Sequence, residues 1–553
     1  MAHTPGPDQA VVDLPAGRLR GAIEDGLAVF RAVPYAEPPV GNLRWRPARP
    51  HPGWSGTRDA TADGPSAPQM YMEGGDPVLG GHGSPPFDED CLTLNIWTPA
   101  ADDARRPVLV WIHGGGFVSG SGSLPVYSGE TFARDGDLVV VGINYRIGPL
   151  GYLYTGPESA TGADGADTGF SAGGGESDAS HDSGDQSPYD GADFGEGSGA
   201  NHWLTDQLAA LRWVRENIAA FGGDPDSITV AGQSGGAVST AALAGLPETQ
   251  GLIRRVILMS PPFGLDLPAP EAYAERTAAF LEIAGVKTLA ELRDLPWPAL
   301  IGAGGGLFAR TMRWGYWPTP FLPVVDDVTL HRHPAEALLH GAAAGLEVMI
   351  GWTREEANFG FALNEGLAAA DREQVTGRIA DTFGTEAAPD VYAAYERTRP
   401  GARPADVLMD LITDELFRVP AVRLAEARAA AGRPVWAYQF DLPSPAHEGR
   451  LGAAHCLELP FVFANFDQWA HAPFTAGLNP AVREGLAHTM HRAWIAFART
   501  GDPNHPDMPH WNPYGKDTRT TMRFDSVVTA LDDLAGDSRR LHEAAAPRPP
   551  QAT

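Results

Sequence analysis

Short apolar, β-branched runs recur along the chain, separated by longer stretches with helical spacing. Residues 108–112, 138–143, 228–231, 256–259, 346–350 and 435–440 are continuous apolar runs, not alternating ones. A strand with one wet face alternates. A continuous run needs cover on both faces, as in parallel strands joined by helical crossovers. Between two of these runs, Leu208, Leu211, Val214, Ile218 and Phe221 recur at intervals of three and four. That spacing predicts a helix over 205–221 with one apolar stripe, and Gly222-Gly223-Asp224-Pro225 stops it. The pattern as a whole predicts an α/β fold: a large, twisted, mostly parallel sheet with helices on both faces.

Residues 155–200 break this pattern. They are rich in Gly, Ser, Ala and Asp, carry acidic side chains from Glu158 to Glu196, and contain no Lys or Arg. Such a stretch buries too little apolar surface to offset its ordering entropy, so a solvated, disordered insert is expected. Its acidic spacing matches neither an EF-hand nor a nonapeptide calcium repeat. The tail, 545–553, is expected to be disordered too. No internal repeat is present, and the expectation is one catalytic domain over 1–553 with a core of about 11–535.

Composition narrows the partners. The hydrophobic fraction is 43% of 553 residues and the formal net charge is −28. That charge disfavours nucleic acid and anionic membranes, which attract basic faces. Only Cys91 and Cys456 are cysteines, so no disulfide framework holds the fold. The first residues contain no apolar run suited to a signal peptide, and no stretch of about 18 apolar residues could span a bilayer. A soluble protein of the reducing cytoplasm, monomeric or a small homo-oligomer, is expected.

The chemistry begins at Gly232-Gln233-Ser234-Gly235-Gly236, which fits G-x-S-x-G between a predicted strand and a helix-compatible run, 237–244. A serine on such a turn must adopt strained backbone angles beside neighbours without bulk, which leaves its hydroxyl exposed above the sheet. His113-Gly114-Gly115-Gly116 directly follows another predicted strand upstream. Ester cleavage builds negative charge on a carbonyl oxygen, and glycine-rich backbone lets N–H donors approach it. Gly115, Gly116 and Gly235 are the expected donors. Among 17 histidines, His455 is the expected base, because it follows the last predicted strand and satisfies the order serine, acid, histidine. His331 and His333 read as surface polar residues. The acid should follow a strand between the two, where Glu355 and Glu356 both stand; composition does not choose between them.

Together these motifs resemble the type-B carboxylesterases, the cholinesterase-like branch of the α/β-hydrolases, in their bacterial, p-nitrobenzyl-esterase-like form. The resemblance runs from Gly17 to about Phe524, outside the acidic insert. It is carried by Val33-Pro-Tyr-Ala-Glu-Pro-Pro-Val-Gly41, Glu89-Asp-Cys-Leu-Thr-Leu-Asn-Ile-Trp97, Phe221 through Ser234, His455 through Asn465, and Gly501-Asp-Pro-Asn504. It implies Glu356 as the acid and Glu355 as an outer acidic residue. It places Ser260 and Glu458 as polar residues near the histidine, and it implies ion pairs Arg44–Glu89 and Arg146–Asp206. No metal or organic cofactor is implied.

The departures are specific. Gly235 stands where alanine is usual, Gln233 where glutamate is common, Ala357 for the glycine after the acid, and Trp203 for a glycine before Asp206. The last two put local backbone geometry in question. Ala67 replaces the cysteine that secreted members pair with the one at Cys91, so Cys91 should be a free, buried thiol. No tryptophan occurs between Gln69 and Glu89, where choline-ester hydrolases hold a quaternary ammonium, which argues against choline esters.

The resulting expectation is a carboxylic-ester hydrolase for small to medium neutral esters, in which Ser234, His455 and Glu356 meet in one hydrogen-bonded relay. The same triad could cleave carbamates or anilides. A non-catalytic scaffold on this fold is disfavoured by the complete triad.

Overall fold

The computed structural model describes residues 9–70, 76–81, 86–156 and 198–544. Residues 157–197 of the acidic segment and the tail 545–553 lie outside them. The two described ends of that segment meet, with Thr155 N–H donating to Gly199 O at 2.7 Å.

All six continuous apolar runs are strands. They form β6 (Arg106–Ile112), β7 (Val139–Ile143), β8 (Gly223–Gln233), β9 (Arg255–Met259), β10 (Glu347–Thr353) and β11 (Val435–Phe440). Five strands precede them: β1 (Gln9–Leu14), β2 (Gly17–Glu24), β3 (Leu27–Pro34), β4 (Thr57–Asp59) and β5 (Thr93–Thr98). Two follow, β12 (Thr521–Phe524) and β13 (Thr529–Leu531). All belong to one sheet of order β1-β2-β3-β5-β7-β6-β8-β9-β10-β11-β12-β13, with β4 beside β2. Every neighbouring pair from β7 to β12 is parallel. Along the main order the margins are antiparallel.

Both faces of the parallel centre are buried, as continuous runs require. Val141, Val110, Val230, Val256, Val348 and Val435 stand in register across six strands. They face one core cluster. The helices His202–Asn217, Gly235–Gly245 and Val419–Ala430 cover this face. The alternate residues Val140, Leu109, Ile257, Met349 and Trp436 enter a second cluster, covered by the helices Glu130–Gly136 and Pro480–Thr500. The predicted stripe Leu208, Leu211, Val214, Ile218 and Phe221 is fully buried. A third cluster, built on helices Arg372–Phe383, Ala388–Thr398 and Pro404–Thr413, packs against Ala357 beyond the end of β10.

The departures at 203 and 357 leave the backbone regular. Trp203 lies within its helix, stacks on Tyr152 at 5.3 Å, and donates through Nε1 to Asn201 Oδ1 at 3.2 Å. Ala357 has φ −66° and ψ −20°, angles that any residue adopts. Both implied ion pairs are present. Arg146 Nη2 lies 2.6 Å from Asp206 Oδ1, with both side chains buried. Arg44 Nε donates to Glu89 Oε2 at 2.7 Å. Cys91 and Cys456 are both free and buried. Among the described residues, no helix is long and apolar enough to cross a membrane.

Candidate active site

Ser234 sits between the last residue of β8 and the first residue of helix Gly235–Gly245, with φ 57° and ψ −125°. Such angles cost a non-glycine residue on the order of 1–3 kcal/mol, so the surroundings must enforce them. They do. Ser234 N–H donates to Met259 O on the neighbouring strand at 2.8 Å. A Cβ on Gly236 would lie 2.2 Å from Ile112 O, so only glycine lets the new helix come this close to β6.

The glycine run after β6 passes directly over this turn. A Cβ on Gly114 would fall 3.1 Å from Ser234 Cβ and 2.6 Å from Gln233 O. His113 anchors the run: its ring stacks on Tyr145 at 4.5 Å, its Nδ1 lies 2.8 Å from Gly114 O, and Tyr145 Oη donates to His113 O. Burial pushes the His113 imidazole down to about 4, so it stays neutral. Among the described residues, the N–H groups of Gly115 and Gly116 donate to no other group. The N–H of Gly235, in the first turn of its helix, has no intrahelical acceptor.

Glu356 follows β10 and His455 follows β11, and the parallel pairing of those strands brings their loops together. His455 Nδ1 lies 2.5 Å from Glu356 Oε2, and both side chains are buried. The other Glu356 oxygen accepts the Thr353 N–H at 2.6 Å. With Nδ1–H committed to a carboxylate, the lone pair of the neutral ring is on Nε2. Glu355 faces elsewhere: its Oε2 accepts the Ala453 N–H and its Oε1 accepts from Arg354 Nε.

Two expectations are corrected. No hydrogen bond joins Ser234 to His455. The His455 Nε2 atom instead faces Gln233 Nε2 at 3.0 Å, and the same amide nitrogen lies 3.3 Å from Cys456 Sγ. The acid–base half of the expected relay is formed, while the base–serine half is replaced by a contact with the residue next to the serine. His333 is also corrected: it is half-buried, and its Nδ1 accepts the Ala335 N–H, whereas His331 is exposed as expected.

Ser260 and Glu458 are fully buried. Burial, then the charge of Glu356, pushes the Glu458 carboxyl up to about 8. Ser260 lies close enough to favour the ionised form slightly, yet its hydroxyl and both carboxyl oxygens lack a partner of hydrogen-bond geometry. Three aromatic rings flank the imidazole: Phe417 at 5.1 Å, Phe359 at 5.9 Å and Trp317 at 6.1 Å between ring centroids. The segment 307–317 is a candidate pocket wall from the sequence and ends at Trp317; Phe359, Phe417 and the reach of Gln233 carry no such signal. Among the described residues, no group of three His, Cys, Asp or Glu is arranged to hold a metal ion.

A parallel-centred sheet with a strained serine turn after one strand, and a buried Glu–His pair on the loops after two later strands, defines an α/β-hydrolase. The model of the carboxylesterase family matches residues 8–166 and 195–538, and the chain belongs to that family. It is a serine hydrolase enzyme whose class of reaction is carboxylic-ester hydrolysis. It is 48% identical over 522 residues to phenmedipham hydrolase of Pseudarthrobacter oxydans, covering 94% of this chain and 96% of that one. It is 33% identical over 539 residues to para-nitrobenzyl esterase of Bacillus subtilis (strain 168), covering 96% and 98%. A crystal structure of a Geobacillus stearothermophilus carboxylesterase superposes with a TM-score of 0.79 at 37% identity, covering 96% of this chain and 99% of that one.

Proposed function

We propose that Ser234 is the nucleophile, His455 the general base and Glu356 the acid that orients it. The observation that carries this reading is the buried His455–Glu356 hydrogen bond next to a serine held at φ 57°. As Ser234 Oγ bonds to the carbonyl carbon, its proton passes to His455 Nε2. The N–H groups of Gly115, Gly116 and Gly235 take the negative charge that develops on the carbonyl oxygen. Collapse breaks the bond to the leaving alcohol, which takes the proton from His455, and water then cleaves the acyl-enzyme by the same route. The substrates are small to medium neutral esters. Replacing Ser234 by Ala should lower turnover by about 10⁶ and leave the fold intact. Retention of a tenth of the activity would remove the assignment.

A second reading, carbamate hydrolysis with an aromatic leaving group, has two supports. His455 donates the proton to the leaving group, and Phe417, Phe359 and Trp317 surround His455. A relative at 48% identity is a phenmedipham hydrolase, an enzyme acting on a carbamate. A series of p-nitrophenyl esters set beside aryl carbamates, compared by kcat/KM, separates the two readings. The site of action is proposed to be the cytoplasm, in keeping with two unpaired, buried thiols. Fractionation of the producing cells tests this.

A further inference from the structure

At the serine turn the side chain that contacts the histidine is Gln233, the residue before Ser234. Its amide is buried and held on several sides. Nε2 is 3.0 Å from His455 Nε2 and 3.3 Å from Cys456 Sγ. Oε1 lies against the glycine run, since a Cβ on Gly114 would be 2.8 Å from it. The donor inventory fits: an amide carries two N–H bonds, and here it has two acceptors, the imidazole lone pair and the thiol sulfur. An amide turned the other way would set its oxygen against the ring lone pair. The imidazole is therefore gripped at both nitrogens, by Glu356 at Nδ1 and by Gln233 at Nε2.

We propose that Gln233 is a positioning residue for hydrolysis: its N–H fixes the plane and tilt of His455 in the resting enzyme, so that Nε2 already faces the serine turn when substrate arrives. The inference rests on His455 being the base. A single bond at Nδ1 leaves the ring free to pivot about that contact, and a second bond at the opposite nitrogen removes the pivot. Gln233 and Ser234 are consecutive, so the same strand end that carries the nucleophile also aims the base. When Ser234 yields its proton to Nε2, the Gln233 N–H gives way, and its other N–H, on Cys456 Sγ, keeps the amide in place for the ring's return.

The test uses the full chain with Gln233→Met, which keeps length and volume but has no N–H, and Gln233→Leu, which likewise removes both amide donors. Loss of a single oriented hydrogen bond should lower kcat about 10-fold in both, with KM changed by no more than about two-fold. Thermal midpoints recorded alongside confirm that each variant is folded. The ¹⁵N resonance of His455 Nε2, assigned by its disappearance in His455→Gln, should move in Gln233→Met as its donor is lost. A wild-type kcat in either variant, or an unmoved Nε2 resonance, overturns the proposal. His455→Ala is the separate control. If it remains active, the base assignment itself fails; if it is inactive while Gln233→Met turns over normally, only the role of Gln233 fails.

Discussion

Glu355 and Ala453 are joined twice: the Glu355 N–H donates to Ala453 O at 3.0 Å, and the Ala453 N–H donates to Glu355 Oε2 at 2.8 Å. These bonds stitch the loop after β10 to the loop after β11, one residue before Glu356 and two before His455. The neighbouring acids are therefore divided, one bonded to the imidazole and the other to the loop that carries it. Replacing Glu356 by Ala strips Nδ1–H of its partner and should lower kcat by about 10³ to 10⁴. Replacing Glu355 by Ala leaves that bond in place and should cost about 1–3 kcal/mol of stability with a loss of kcat nearer 10-fold. Kinetics and denaturant unfolding of the two variants, side by side, check the division; equal losses of kcat would refute it.

Backbone strain at Ser234 predicts a stability difference between two variants. Ser234→Ala keeps a Cβ at φ 57° and ψ −125°, whereas Ser234→Gly removes it. Relief of the strain, less the extra chain entropy of glycine, should leave Ser234→Gly about 1 kcal/mol more stable than Ser234→Ala. Urea unfolding of both proteins measures this directly. The reverse order would mean that the turn stores no strain.

The two glycines after Ser234 should respond in opposite ways to alanine. A Cβ on Gly235 meets the ring edge of Phe117 at 3.1 Å and its backbone nitrogen at an ordinary 3.5 Å, and the ring can shift by a few tenths of an ångström. Gly235→Ala should fold and keep activity within a few-fold. A Cβ on Gly236 meets Ile112 O at 2.2 Å, and a strand backbone cannot yield by that amount. Gly236→Ala should lose soluble expression or several kcal/mol of stability. Yield and thermal midpoint of the two proteins give the answer.

What the chain revealed in advance follows the strength of its local signals. The six central strands are legible because burial on both faces makes their apolar runs continuous. β1 is harder to read: only Ala10, Val12 and Leu14 are buried, alternating with the less buried Val11 and Asp13. β5 hides Thr93 and Asn95 among its buried positions and so breaks an apolar run. The helix begins at His202, before the first residue of its apolar stripe, because Trp203 and Leu204 are buried as well. Ser234 and His113–Gly116 stood out because each motif depends on backbone geometry within a few residues, and His455 stood out by its place after the last central strand. The partner of His455 Nε2 did not, because Gln233 lies 222 residues away and only the fold sets its reach. Phe359, Phe417 and Trp317 come from three separate segments, and no local spacing relates them.

Glu458 makes stability depend on pH in a direction opposite to that of an ordinary paired carboxylate. Its folded-state pKa is raised from 4.5 to about 8, by burial first and by the Glu356 charge second. Cys456 and Tyr438, which also face it, are pushed up by burial, and neither side chain can carry a compensating positive charge. Above pH 4.5 the unfolded chain releases this proton while the folded protein keeps it, so the contribution of Glu458 to stability falls as pH rises and levels off above about 8. Glutamine at 458 cannot ionise in either state. Glu458→Gln should therefore gain stability relative to the wild type between pH 5 and 8.5, by at most about 5 kcal/mol. Urea unfolding of both proteins at those two pH values provides the measurement. Parallel pH dependences would show that Glu458 is ionised in the folded enzyme, compensated by a hydrogen bond to Ser260 or by another group.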